Sequence, residues 1–115
     1  MARKVTLFTG QWADLPLEEL AKKAADFGYE GLELACWGDH FDPNVAADDK
    51  AYCDDKKKLL AKYNLEVFAI SHHLAGQLVL DPNDDARSDG FAPADCAGDA
   101  EKKRAWAVST MKNCA

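Results

Sequence analysis

Leu65-Glu66-Val67-Phe68-Ala69-Ile70-Ser71 is nearly continuous in apolar residues. A run of this length, apolar without alternation, predicts a parallel strand covered on both faces. Just before it, Asn64 supplies a left-handed cap to a helix over Asp49 to Tyr63, whose apolar residues are Tyr52, Leu59, Leu60 and Tyr63. That helix is preceded by a loop rich in Gly, Asp, Pro and Asn, from Trp37 to Asp48, and by a second apolar run, Leu32-Glu33-Leu34-Ala35-Cys36. Earlier still, Leu17, Leu20, Ala21, Ala24 and Phe27 recur at helical spacing. Pro16 with Glu18 and Glu19 marks the start of this first helix, and Gly28 caps its end. Val5-Thr6-Leu7-Phe8-Thr9, ended by Gly10, is the first strand.

Beyond Ser71, a long connection runs from His72 to Asp99, including Asp81-Pro82-Asn83-Asp84-Asp85 and Gly90-Phe91-Ala92-Pro93. Loops this long inside a compact domain are usually functional or disordered. A last helix follows from Ala100 to Ala115, with Ala105, Val108 and Met111 at helical spacing and Trp106 beside them. No Gly, Asn-Gly or Pro stop signal closes it. The expectation is that the helix runs on and that the chain is the opening third of a larger α/β enzyme.

Alternating strands and helices imply a parallel sheet with right-handed crossovers. A (β/α)8 barrel, a doubly wound sheet and a flavodoxin-like order all begin this way. The βα turns lack G-x-G-x-x-G, which weighs against a dinucleotide fold. The αβ turns are short and the βα loops long, which is how a barrel builds its active face at the C-terminal strand ends. The predicted fold is therefore the N-terminal βαβαβα portion of a (β/α)8 TIM barrel, with residues 1–115 as one fragment of that domain. A whole barrel needs about 250 residues, so the chain would supply about three of its eight units.

Composition narrows the function. The chain is 48% hydrophobic and 30% charged, with net charge -6. This acidity argues against nucleic-acid and anionic-membrane partners, which select clustered Lys and Arg. Lys56-Lys57-Lys58 follows Asp54-Asp55 directly and reads as a solvated helix face. Cys36, Cys53, Cys96 and Cys114 have no metal-site or redox spacing, which suits reduced thiols in a cytoplasmic protein. Met1-Ala2-Arg3-Lys4 leads straight into a strand, with no apolar run for a signal peptide or membrane span.

Chemistry is expected at the strand ends. Strand three ends in Ser71-His72-His73, where a neutral imidazole could bind a metal, orient a sugar hydroxyl or shuttle a proton. Alternation puts His73 on the face of Ser71. Glu33 interrupts an apolar strand, and a buried carboxylate is costly unless paired. It is either an inward residue at a site or half of a structural ion pair. Trp37-Gly38-Asp39-His40-Phe41-Asp42 follows strand two, and Trp12 holds the equivalent place after strand one. Aromatic rings there either stack on the apolar face of a sugar or pack a loop onto the rim, and Asp39 and His40 offer polar contacts to hydroxyls. Gln77 and the acidic stretch Asp81 to Asp89 read as part of a lid or as a solvated loop, and Trp106 as helix packing. A nucleophilic triad finds no Gly-x-Ser-x-Gly elbow.

Three segments together resemble the sugar phosphate isomerase/epimerase family of the xylose isomerase-like barrel superfamily. They are Tyr29 to Asp42, Ile70 to Leu78, and the helix carrying Lys103-Arg104-Ala105-Trp106. The resemblance implies a metal-dependent isomerase or epimerase of a sugar or sugar phosphate, moving a proton between neighbouring carbons through a metal-stabilised enediolate. It implies a divalent ion (Mn, Mg, Zn or Co) in the complete barrel, and metal ligands and acid/base carboxylates on strands beyond Ala115. Within this segment it implies no bound metal. It aligns His73 with a site-lining His at the end of strand three and Glu33 with a strand-two Glu. Trp12, Trp37 and His40 fall where substrate-pocket residues lie. A DNA-repair endonuclease branch of the superfamily uses several zinc-binding histidines, whereas this acidic chain has only His40, His72 and His73. Inositol-type dehydratases of the superfamily fit the same segments. The expectation for the 115-residue chain alone is no catalysis, with open sheet edges that favour self-association. The alternative is a non-catalytic half-barrel module that forms homo-oligomers.

Overall fold

Leu17, Leu20, Ala21 and Ala24 form the buried stripe of a helix, and Leu32 and Leu34 the buried face of a strand. Their association organises the first part of the chain. The computed structural model describes residues 2–115, so Met1 lies outside the described residues. The elements in order are strand β1 (Thr6–Phe8), helix α1 (Leu17–Asp26), strand β2 (Gly31–Ala35), a short helix α2 (Pro43–Ala46), helix α3 (Lys50–Ala61) and strand β3 (Glu66–Ser71), followed by helix α4 (His73–Leu78) and helix α5 (Ala100–Cys114). The chain divides into two compact units, residues 1–71 and residues 72–115.

In the first unit the three strands are parallel and lie in the order β1-β2-β3. That order matches a barrel's opening strands and differs from the 2-1-3 order of flavodoxin-like sheets. One face of the sheet carries the core. Leu32 and Leu34 pack there with α1, Leu60 of α3 and Leu65, flanked by Leu7, Val67 and Ile70. Alternating parallel strands, helices packed on the sheet and an unclosed edge at each side make an incomplete barrel-like α/β topology.

Local chemistry explains the boundaries. Asp49 caps α3 by accepting from the Ala51 and Tyr52 amides at 2.9 and 3.3 Å, and Asp42 caps α2 in the same way. Gly28 and Asn64 close α1 and α3 with positive φ, +87° and +55°. β3 departs from expectation. Its apolar run is covered on the helix side alone, and Phe68 is 49% exposed. The register slips between Leu32/Val67 and Glu33/Ala69, so Phe68 is an extra residue in the ladder. The bulge leaves Val67 and Ile70 against the core. The Phe68 ring crosses Gly31 so closely that a β-carbon there would overlap it.

In the second unit, the expected open connection holds α4 and two 3₁₀ segments, Ala86–Phe91 and Ala94–Cys96. The buried stripe of α5 is Lys103, Ala107 and Thr110, not Ala105, Val108 and Met111. Ala107 packs against Ala75 and Leu78 of α4. Lys103 is 1% exposed, and its ammonium donates to the Asn83 carbonyl (3.2 Å), the Asp85 carbonyl (3.3 Å) and the Ser88 hydroxyl (2.8 Å). It also pairs with the Asp89 carboxylate. This buried cation folds the loop around itself.

Two outcomes follow from these contacts. Gly31→Ala should cost about 1–3 kcal/mol through overpacking against Phe68 and the Glu66 carbonyl, read as a lower urea midpoint. Adding Phe68→Ala should recover part of the loss, and an unchanged midpoint in the single variant would show that the ring yields freely. In the second unit, the Gly98 amide and then the Lys103 ammonium hold the Asp89 carboxyl below the usual carboxylate range. A depressed carboxyl stabilises fully above its unfolded pKa, and the contribution fades as pH falls through the folded value. The protection factors of the α5 amides, corrected for the intrinsic pH dependence of exchange, should therefore fall on acidification below about pH 4. Asp89→Asn should weaken that dependence, and an equal dependence in the variant would refute the role.

Candidate functional site

Opposite the core, the sheet presents a second face. Phe8, Glu33 and Ala69 are direct neighbours across the three strands, and Ala35 pairs with Ser71 one step nearer the C-terminal ends. Because Leu32 and Leu34 point to the helices, strand alternation places Glu33 on this opposite face. The Ser71 hydroxyl donates to Glu33 Oε1. The carboxylate is half-buried, and its Oε2 makes no hydrogen bond among the described residues. Trp37, just beyond β2, meets the Phe8 ring edge-to-face at 6.1 Å and 74°. Both rings crowd Gly10, where a β-carbon would overlap Phe8 and come within 3.0 Å of Trp37. A carboxylate with Phe8 as its strand neighbour, and Trp37 packed on Phe8, is therefore in place toward the C-terminal ends of parallel strands.

The residues after Trp37 hold that wall. Gly38 has φ +63° and lies so near the loop after β1 that a β-carbon would sit 2.7 Å from the Ala13 carbonyl oxygen. Asp39 accepts from the Leu17 amide at 2.8 Å and so caps the start of α1. His40 is 0% exposed. Its Nε2 lies 3.0 Å from the Leu15 carbonyl and its Nδ1 2.9 Å from the Thr9 hydroxyl. A carbonyl only accepts, so Nε2 carries the proton and Thr9 donates to Nδ1. Thr9 in turn accepts from the Ala35 amide at 2.9 Å. Every polar atom of this chain of bonds is satisfied, and His40 is a strut with no face turned to a ligand.

The five residues singled out in the sequence thus separate. Glu33 and Trp37 share one face, joined through Phe8. His40 lies beneath, inside the clamp. Trp12 instead lines a small apolar cleft of about 150 Å³ with Leu7, Leu20, Phe27 and Tyr29, on the α1 side of β1. His73 belongs to the second unit. The parity that linked it to Ser71 does not extend to it, because β3 ends at Ser71 and His73 opens α4. His72 makes the break: its Nδ1 accepts from the Ala75 amide at 3.3 Å and caps α4, while its ring meets Trp106 edge-on at 5.9 Å. His73 is exposed there, with its carbonyl accepting from Gln77.

Phe8 and Ser71 are the contributors that sequence reasoning did not single out as site residues. Their signal was present: each shares strand parity with the face of Glu33. Among the described residues, no group of three or more His, Cys, Asp or Glu side chains is placed to hold a metal ion. None of the helices formed by the described residues is long and apolar enough to cross a membrane. No protein-family model matches the chain, and no curated protein matches it.

Thr9→Val keeps the shape and removes the central hydroxyl, orphaning the Ala35 amide and His40 Nδ1. The expected loss is about 2–6 kcal/mol, counting about 1–3 for each of the two buried orphans, measured by thermal or urea unfolding. Thr9→Ser should lose far less. Full stability of Thr9→Val would show that the bond network does not carry the clamp.

Proposed function

We propose that this chain forms the opening β/α units of a sugar or sugar phosphate isomerase/epimerase barrel, and that its own share of the reaction is substrate binding. The observation that supports this reading is the half-buried Glu33 carboxylate, held by Ser71 beside the Phe8 and Trp37 rings at the strand ends. A sugar presents hydroxyl donors on its edge and C–H groups on its faces. A carboxylate oxygen suits the first and an aromatic ring the second. The resemblance of the Tyr29 to Asp42 and Ile70 to Leu78 segments points to the same substrate class. The described residues supply no ligand set for the expected divalent ion. On this reading the chain's contribution is to bind and orient, and alone it should be catalytically silent.

The sheet edges favour a second reading, a self-associating module without chemistry. β1 and β3 each have a strand partner on one side only. A cleft of about 380 Å³ lined by Leu60, Leu65, Val67 and Phe68 lies along the β3 side, and Phe27, 77% exposed, along the β1 side.

Titration of the chain with aldoses and their phosphates, followed by amide and indole NMR shifts, tests the first reading. Saturable shifts at Trp37 and Glu33 are expected. Glu33→Gln should weaken binding by about tenfold or more, the worth of a hydrogen bond to a charged group. No shift with any sugar, alongside a concentration-dependent sedimentation coefficient, would overturn it in favour of the self-associating module.

A further inference from the structure

The charges of the first unit bear on which sugars its Glu33 face can take, an inference that rests on the substrate-binding reading of that face. Phosphate groups at the C-terminal ends of parallel strands are held by two devices, a Lys or Arg aimed at the anion and the free amides of a helix N-terminus. Among the described residues of this unit, both are committed elsewhere. Apart from Lys4, the lysines belong to α1, to α3 or, for Lys62, to the turn that ends α3. Both helices pack on the core face, opposite Glu33. Arg3 and Lys4 precede β1 and so stand at the N-terminal ends of the strands, where Lys4 pairs with Glu66. Lys56 reaches the loop after β2, but there its ammonium donates to the Asp39 carbonyl at 2.6 Å and lies over the Tyr52 ring.

The helix N-termini that follow the strand ends are closed by carboxylates. At α1, Asp39 accepts from the Leu17 amide at 2.8 Å, and Glu18 and Glu19 add charge in the first turn. At α3, Asp49 accepts from the Ala51 and Tyr52 amides. A phosphate at either end would meet an anion already using the site's amides. Glu33 adds a further carboxylate on the face itself, and the Ser71 hydroxyl is already donated to it. An ionised carboxylate only accepts hydrogen bonds, so it takes a sugar hydroxyl and repels a phosphate. The Phe8 and Trp37 rings suit the uncharged C–H face of the same ligand. We propose that the Glu33 face takes an unphosphorylated sugar and discriminates against the phosphate of that sugar.

The test compares glucose, mannose and galactose with their 6-phosphates on the full chain, by the Trp37 indole shift at about 0.01 M and about 0.15 M salt. At the lower salt each phosphate should bind about tenfold more weakly or worse than its parent sugar, and the gap should narrow at the higher salt. Glu33→Gln, which keeps the side-chain shape, should weaken the sugars and narrow the gap as well. If that variant is disturbed, the salt dependence of the wild-type gap carries the decision. Phosphates that bind as tightly as the sugars or more so, with Glu33→Gln weakening both, would overturn the discrimination and leave the sugar-binding reading standing. A gap that neither salt nor Glu33→Gln changes would be steric and would likewise overturn the proposal. No saturable shift with any of these ligands would overturn both readings together.

Discussion

The Thr9 hydroxyl stands between the Ala35 amide and the His40 ring, and His40 reaches on to the Leu15 carbonyl. These bonds tie the end of β2 and the loop after it to the loop after β1, in a place from which water is excluded. A buried hydroxyl or imidazole that lost its partner would be costly, so the two loops can occupy only one mutual position. Gly38 allows the backbone approach, and Asp39 adds the cap of α1. The position of Trp37 against Phe8, and of both beside Glu33, depends on this clamp.

The bulge at Phe68 has a complementary effect on the other side of Glu33. Without the extra residue, the β3 side chains would fall out of step with β2. With it, Val67 and Ile70 stay in the core while Ala69 and Ser71 stand beside Glu33 and Ala35. The Ser71 hydroxyl is thereby delivered to the carboxylate. Glu33 is a clear case of a polar residue inside an apolar strand. Among the described residues its partner is a neighbouring hydroxyl, and no Lys or Arg pairs with it.

Much of the fold was legible because it rests on periodicity and punctuation. The stripe Leu17, Leu20, Ala21 and Ala24, the caps at Asp49, Gly28 and Asn64, and the three apolar runs each have a local cause. Where long-range partners decide, the reading shifted. Nothing local to Lys103 reveals that Asn83, Asp85, Ser88 and Asp89 will surround it, so the buried stripe of α5 was placed one face away. His40 reads as a substrate-pocket residue because it is polar and follows a strand, while its two partners lie 25 and 31 residues earlier. The parity of His73 failed because His72 uses its side chain to start a helix. The placement of Glu33 and Trp37 at the strand end was legible because strand parity and position after a strand are visible in the sequence.

The same geometry explains why binding, not turnover, is the chain's expected share. Moving a proton from a carbon next to a carbonyl needs a base and a group that stabilises the growing oxyanion, both aimed at one substrate. The first unit supplies a carboxylate, a hydroxyl that donates to it, and an aromatic wall. The hydroxyl is already spent on the carboxylate. The cations do not fill the gap either: Lys4 lies over Phe68 and pairs with Glu66, and Lys56 donates to the Asp39 carbonyl. On the proposed reading, a face with an acceptor and stacking rings holds a sugar in one orientation. On the proposed reading, the electrophilic half of the chemistry comes from groups outside these strands.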